Sequence, residues 1–261
     1  MLIAQITDLH VTPAGTRAFG RVDTNAHLAA AVAHLNALDP RPDLVLITGD
    51  LANTPKPGEY EMLEELLAPL TLPCRVLPGN HDDRSALRRL FPYLPAEDPF
   101  LHHVVDEGPL RILMLDSQKT GFPEGELCAG RLAWIADRLA EEPGRPTLIA
   151  MHHQPFPTGL AIDTMGCAGA ADLADLVRRS PAPVVGIVCG HVHRPITAGW
   201  AGTTVFCAPS TAHQFALDLA PGAGFGWTTE PPAVALHRWV PDSGLVTHLS
   251  LIGDYPRQRF G

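Results

Sequence analysis

Five short apolar runs in this chain each end on a side chain able to bind a metal ion, and that repetition limits what the chain can fold into. Leu2 to Ile6 runs into Thr7-Asp8-Leu9-His10, and Leu44 to Ile47 runs into Gly49-Asp50. Cys74 to Leu77 leads to Pro78-Gly79-Asn80-His81-Asp82. Thr147 to Met151 ends in His152-His153, and Val184 to Cys189 ends in Gly190-His191-Val192-His193. A short apolar run bounded by turn residues reads as a strand buried on both faces, as in a parallel sheet. In open α/β sheets, sites form outside the carboxyl ends of the strands. The expectation is one polynuclear metal site where five strand ends gather.

Each motif alone has an ordinary explanation. A Gly-Asp pair makes turns, His152-His153 can be one core and one solvated histidine, and Asn80-His81-Asp82 can cap a helix. Five of them, all at strand ends, do not arise together by chance.

The segments between the runs supply the helices. Asp23 or Thr24 can cap a helix through Leu38, with Leu28, Ala31, Val32, Leu35 and Leu38 at helical spacing. The opening is thus β-α-β, which favours a parallel pair with a right-handed crossover. Further helices are predicted over Glu59 to Leu70, Asp83 to Phe91, Arg131 to Glu141 and Ala170 to Arg179. His102 to Val105 and Leu110 to Leu115, separated by Asp106-Glu107-Gly108-Pro109, read as an antiparallel hairpin. The chain closes on strands at Thr203 to Ala208, Ala233 to Val240 and Leu245 to Ile252. Three Gly- and Pro-containing loops, 11–23, 154–169 and 209–232, are expected to form a rim over the site within a single domain spanning 1–261. Phe19 and Arg21 in the first, Asp163 and Met165 in the second and His213 in the third are the side chains that stand out.

Bulk properties exclude some partners. The formal net charge is -9 and no Lys/Arg stripe exists, which argues against duplex nucleic acid but not against a small phosphate ester held by metal ions. The five cysteines are scattered and odd in number, as expected of reduced core residues. No apolar stretch is long enough to span a membrane, and a strand starting at Leu2 leaves no room for a removable signal peptide. The expected location is cytoplasmic.

Asp8, His10, Asp50, Asn80, His152, His191 and His193 form a carboxylate, imidazole and amide set suited to first-row ions: Mn, Fe, Zn or Co. Seven ligands exceed what one ion with open positions needs, whereas two ions sharing a carboxylate, expected to be Asp50, accommodate them. Paired ions about 3.5–4 Å apart hold an attacking hydroxide and clamp the oxygens of an in-line displacement at phosphorus. His81 follows a ligand without being needed as one. It is placed to donate a proton or, alternatively, only to orient a neighbour.

The motifs Asp8-x-His10, Gly49-Asp50, Gly79-Asn80-His81-Asp82, His152-His153 and Gly190-His191-x-His193 together resemble the calcineurin-like metallophosphoesterases. Leu35-Asn36-Ala37-Leu38, Arg41-Pro42-Asp43 and Lys56-Pro57-x-Glu59-Tyr60 narrow the likeness to the bacterial class III cyclic nucleotide phosphodiesterases and related glycerophosphodiesterases. The resemblance implies a four-layer α/β/β/α sandwich of two mixed sheets with two metals at its rim. It assigns Asp8, His10, Asp50 and His193 to one ion, and Asp50, Asn80, His152 and His191 to the other. It places Asn80, His81 and His213 near the substrate. The C-terminal extension of some relatives is short here, and family precedent favours a homodimer or higher homo-oligomer.

The implied activity is hydrolysis of a small phosphodiester, either a 3',5'-cyclic nucleotide such as cAMP or a glycerophosphodiester. A phosphomonoesterase on the same core is the alternative within enzymes, but the few cations near the loops (Arg17, Arg21, Lys119) favour diesters. An inactive metal-binding scaffold is the other alternative, and it would be expected to lack ligands that this chain has.

Overall fold

The computed structural model describes residues 1–106, 108–256 and 258. Glu107 of the expected hairpin turn, Arg257 and 259–261 lie outside the described residues. The first half runs β1 (Leu2–Ile6), α1 (Thr24–Asn36), β2 (Leu44–Thr48), α2 (Glu59–Leu67), β3 (Cys74–Leu77), α3 (Arg84–Leu90), β4 (His103–Val105) and β5 (Arg111–Leu115). It continues through β6 (Gly125–Glu126), α4 (Ala129–Glu141), β7 (Thr147–Met151), a 3-10 turn at Ala161–Met165, β8 (Cys167–Ala168), α5 (Ala170–Arg179) and β9 (Val184–Cys189). The remainder is strand: β10 (Ile196–Trp200), β11 (Thr203–Cys207), β12 (Gln214–Phe215), β13 (Trp227–Thr228), β14 (Ala233–Val240) and β15 (Gly244–Leu251).

Two mixed sheets result, ordered β15-β14-β1-β2-β3 and β10-β11-β9-β7-β5-β4. In the first, β1, β2 and β3 are parallel and β14 joins β1 antiparallel. In the second, β5, β7, β9 and β11 are parallel, with antiparallel β4 and β10 at the edges.

Alternation along the strands builds four layers, because successive side chains point to opposite faces. Ala4, Ile6, Val45 and Ile47 pack with Leu28, Val32, Leu35, Leu63 and Leu87 of α1, α2 and α3. Leu113, Leu115, Ile149, Met151 and Ile187 pack with Ile135 and Leu139 of α4 and Leu173 and Val177 of α5. The intervening residues, Ile3, Leu44, Leu46, Ile112, Met114, Leu148 and Val188, form a third cluster between the sheets. One polar strut crosses that layer: buried Gln5 donates to Thr48 Oγ1 at 2.8 Å and to the Cys189 carbonyl at 3.0 Å. The carboxyl ends of β1, β2 and β9 are thereby tied together from below.

Several boundaries differ from the sequence reading. Asp23, not Thr24, caps α1 by accepting from the Ala26 amide, and α1 stops at Asn36 rather than Leu38. The predicted helix to Leu70 ends at Leu67, its continuation being a turn through Leu70 N–H to Leu67 carbonyl. Helix α4 starts two residues early because extended Cys128 serves as its cap residue, its carbonyl accepting from Leu132. The loops contain short pairings, β6 with β8 and β12 with β13, that are too brief to leave a period in sequence. Strand β10 has no counterpart in the sequence reading because it is a half-exposed edge strand with Gly199 inside it. Among the described residues, no helix is long and apolar enough to cross a membrane.

Candidate metal centre

The ligand candidates leave the strands on sharply bent backbone. Seven described non-glycine residues have positive φ, and five of them are Asp8, His10, Asp50, His191 and His193, at 53°, 46°, 52°, 66° and 50°. Left-handed backbone costs an ordinary residue roughly 1–2 kcal/mol, and such strain concentrates at functional sites. It lets alternate residues of each motif face the same point instead of opposite sides of a sheet. Two glycines make room. A Cβ on Gly49 would strike the His152 ring, and one on Gly190 would strike Thr7 Oγ1, the Thr48 carbonyl and the Asp8 carboxylate.

Three groups of ligand atoms converge as a result. Asp8, His10, Asp50 and His193 offer donor atoms within 4.8 Å of one another. His193 Nε2 is 3.2 Å from Asp8 Oδ1 and 3.1 Å from His10 Nε2, and His10 Nε2 is 3.7 Å from Asp50 Oδ2. On the other side of Asp50, His152 Nε2 lies 3.4 Å from Oδ2 and 3.2 Å from Asn80 Oδ1. A second grouping of equal tightness joins His191 and His153 to His152, and a third joins His213 to His10 and His193.

Backbone carbonyls set the histidine tautomers. A carbonyl only accepts, so the ring nitrogen against it carries the proton and the other keeps its lone pair. His152 Nδ1 donates to the Thr48 carbonyl at 2.8 Å, and His193 Nδ1 to the His213 carbonyl at 3.0 Å. His191 uses Nε2 on the Met165 carbonyl at 3.1 Å, which leaves Nδ1 for the cluster. His153 differs: Ser117 Oγ and the Pro123 carbonyl engage both its nitrogens. It is a packing and orienting residue beside the cluster.

The charges suit a cation. Burial alone would raise the Asp8 carboxyl, but His193 and His152 outweigh it and bring it down to about 2. Burial likewise opposes ionised Asp50, yet His152 and His81 hold it well below the usual carboxylate range. Burial lowers His191 to about 3 and His10 well below its ordinary value. His152 is the exception: burial opposes its charge, but Asp50 and Asp8 lift it to about 9. Without a cation its Nε2 thus also carries a proton, which a bound ion would displace to free the lone pair. Ionised carboxylates, neutral imidazoles and one proton held where carboxylates converge make a donor set that fits divalent ions. Asp50 Oδ1 accepts from the His81 amide at 2.9 Å, so a single oxygen, Oδ2, faces both His10 and His152.

Asp82 does not cap the following helix; Asp83 does, through the Ala86 amide. Asp82 instead accepts from the amides of Leu51, Ala52 and Gly79, locking the Asp50 and Asn80 turns together. Burial and the Asp50 charge raise its carboxyl to about 7 against those three donors. Cations on Asp50 would reverse that repulsion.

The cluster opens into a cavity of about 500 Å³. Asn53, Thr54 and His81 line it near the cluster, and Phe19, Ile162, Met165, His213, Phe215, Phe225 and Trp227 line it farther out. Among the described residues none that lines it is Lys or Arg, and Arg17, Arg21 and Lys119 stand elsewhere. Asp163 braces its own loop by accepting from Thr158 and Gly159. His81 Nδ1 donates to the Asn53 carbonyl at 2.6 Å, which turns Nε2 to the cavity. His213 is buried with an unpartnered Nδ1. Sequence reasoning missed Phe215, Phe225 and Trp227, whose only signal was aromatic residues within an irregular segment.

Known proteins resemble this chain in sequence and in fold. A family model described as calcineurin-like phosphoesterase matches residues 1–195. A probable glycerophosphodiester phosphodiesterase GpdQ of Arcobacter nitrofigilis is 37% identical over 98% of this chain and 94% of its own length. The 3',5'-cyclic adenosine monophosphate phosphodiesterase CpdA of Escherichia coli is 33% identical over 92% of each chain. Among solved structures, a purple acid phosphatase from yellow lupin seeds superposes with a TM-score of 0.64 at 14% identity, covering 91% of this chain and 49% of that one. Sheets, strand-end donors and these likenesses agree: the chain belongs to the calcineurin-like phosphoesterases.

Proposed function

We propose that the protein is a metal-dependent phosphodiesterase acting on small diesters, a 3',5'-cyclic nucleotide or a glycerophosphodiester. The observation that carries this reading is a cavity whose floor is a converging set of metal donors and whose walls, among the described residues, hold no Lys or Arg. A diester phosphate carries one negative charge, which bound cations can neutralise alone, whereas a monoester dianion profits from further cations. Relatives named as phosphodiesterases, alike over nearly the whole chain, support the same choice.

Asp8, His10, Asp50 and His193 would hold one ion, and Asp50 with Asn80, His152 and His191 the other. Mixed oxygen and nitrogen donors suit Mn, Fe, Zn or Co. Two such ions supply a water of lowered pKa and neutralise charge on the phosphoryl oxygens. The chain supplies orientation. The Thr48 and His213 carbonyls fix which nitrogens of His152 and His193 face the cluster. His81 donates from Nε2 to a phosphoryl or leaving oxygen. Burial opposes its charge, but Asp50, the Asn53 carbonyl and Asp82 raise its pKa above the ordinary value.

Metal-stripped protein reconstituted with manganese tests this on cyclic AMP, a glycerophosphodiester, a chromogenic diester and its monoester. Metal-dependent turnover of diesters above the monoester is expected. Preference for the monoester would overturn the reading.

A further inference from the structure

Outside the metal cluster, one cavity residue is held at unusual cost. Phe19 has a φ of 52° and is 63% exposed. Left-handed backbone disfavours bulky residues, and an exposed phenyl ring gains little from burial. Of the seven described non-glycine residues with positive φ, six are cavity or cluster residues; the seventh, Ala201, sits in the turn between β10 and β11. Phe19 thus shares its strain with the candidate ligands while ligating nothing.

The surrounding chain makes its placement definite. Ala18 and Val22 exchange backbone hydrogen bonds of 2.9 Å each, closing a tight hairpin with Phe19 near its tip. Beneath that hairpin, Ala18, Val22 and Ala212 form a buried cluster with Trp227 packed on it. The hairpin is therefore anchored by its stem, and the ring at its tip is free to serve the cavity. Phe19 stacks on Trp227 at 5.8 Å and 19° and meets His213 edge-on at 5.2 Å. His213 in turn lies 5.5 Å from the ring of His10, a candidate ligand. Among the described residues, a continuous bank of rings without a Lys or Arg runs from cluster to mouth.

We propose that Phe19, backed by Trp227 and His213, is a specificity-determining wall that receives the flat aromatic part of a phosphodiester, such as a nucleobase. The proposal rests on the phosphodiesterase reading and sharpens it. Base–aromatic stacking tolerates any base because every base has a π-face, so the wall selects aromatic diesters as a class over polyol diesters. Beyond His213 and the indole N–H of Trp227, the bank offers a small polar group such as glycerol no donor or acceptor.

The test compares metal-loaded wild type, Phe19→Ala and Phe19→Tyr on cyclic AMP and glycerophosphoethanolamine. The ratio of kcat/KM for cyclic AMP to that for glycerophosphoethanolamine should fall about tenfold in Phe19→Ala, through KM for cyclic AMP. Phe19→Tyr should restore it. An unchanged ratio, or failure of the tyrosine to restore it, would overturn the wall. If wild type hydrolyses neither diester, the phosphodiesterase reading falls, and binding decides the wall separately. In that case 5'-AMP should quench tryptophan fluorescence of the metal-loaded wild type and bind Phe19→Ala about tenfold more weakly. Equal affinity for both proteins would overturn it.

Discussion

The floor and the mouth of the cavity are built on opposite principles. On the floor, Asp8, His152 and their neighbours are buried, and the carbonyls of Thr48, Met165 and His213 fix histidine rings that end on the cluster. At the mouth, Phe19 and Phe225 are 63% and 54% exposed and belong to hairpins and short pairings of irregular loops. Metal ligation needs donors fixed to fractions of an ångström, and the strand ends of a packed double sheet give that precision better than irregular loops do. Choosing among ester groups needs surface shape, which loops provide without disturbing the sheets. One core can then serve diesters with different alcohol parts.

The sharpest way to break this division is at Asp50, which belongs to both donor groups. Asp50→Asn should lose cation from both sides, and kcat/KM should drop well beyond the roughly 100-fold that outer partners of ligands control. Elemental analysis alongside turnover checks it. Two tightly held ions with normal activity would mean that Asp50 is not shared.

His81 stands where floor meets mouth, its amide on Asp50 and its ring on the cavity. His81→Ala should keep the cation content and lower kcat by roughly 10²–10⁴-fold, the usual contribution of a positioned proton donor. Parallel loss of cations and turnover would assign His81 to the floor instead.

The same division explains what was legible in the sequence. Apolar runs ending in Asp, Asn or His announced the strands and the candidate donors at their ends, because a buried strand has little freedom in composition. The resemblance of Asp8-x-His10 and Gly190-His191-x-His193 to family motifs then supplied the double sheet. Phe215, Phe225 and Trp227 were not legible. They lie in a segment without period, and their place on the cavity depends on the pairing of β12 with β13. Nor could sequence tell Asp82 from a helix cap, since its partners, the amides of Leu51 and Ala52, come from a different strand's end.

Beneath the floor lies a support whose failure should be gentler and differently timed. Buried His237 donates from Nε2 to Gln5 Oε1 at 3.0 Å and accepts at Nδ1 from Thr247 Oγ1 at 2.8 Å, so the fold holds it neutral. Burial brings its pKa from 6.5 down to about 3. Between those values the unfolded chain binds one more proton than the fold, so the contribution is complete above pH 6.5 and is lost as pH falls toward 3. His237→Gln removes that proton while retaining an amide able to meet Gln5. Urea unfolding of metal-loaded protein between pH 7 and pH 5 should give a wild-type stability that declines more steeply than the variant's. The difference in slope should reach about 1.4 kcal/mol per pH unit. Parallel curves would mean that His237 is reached by water and that the polar strut through Gln5 does not depend on its neutrality.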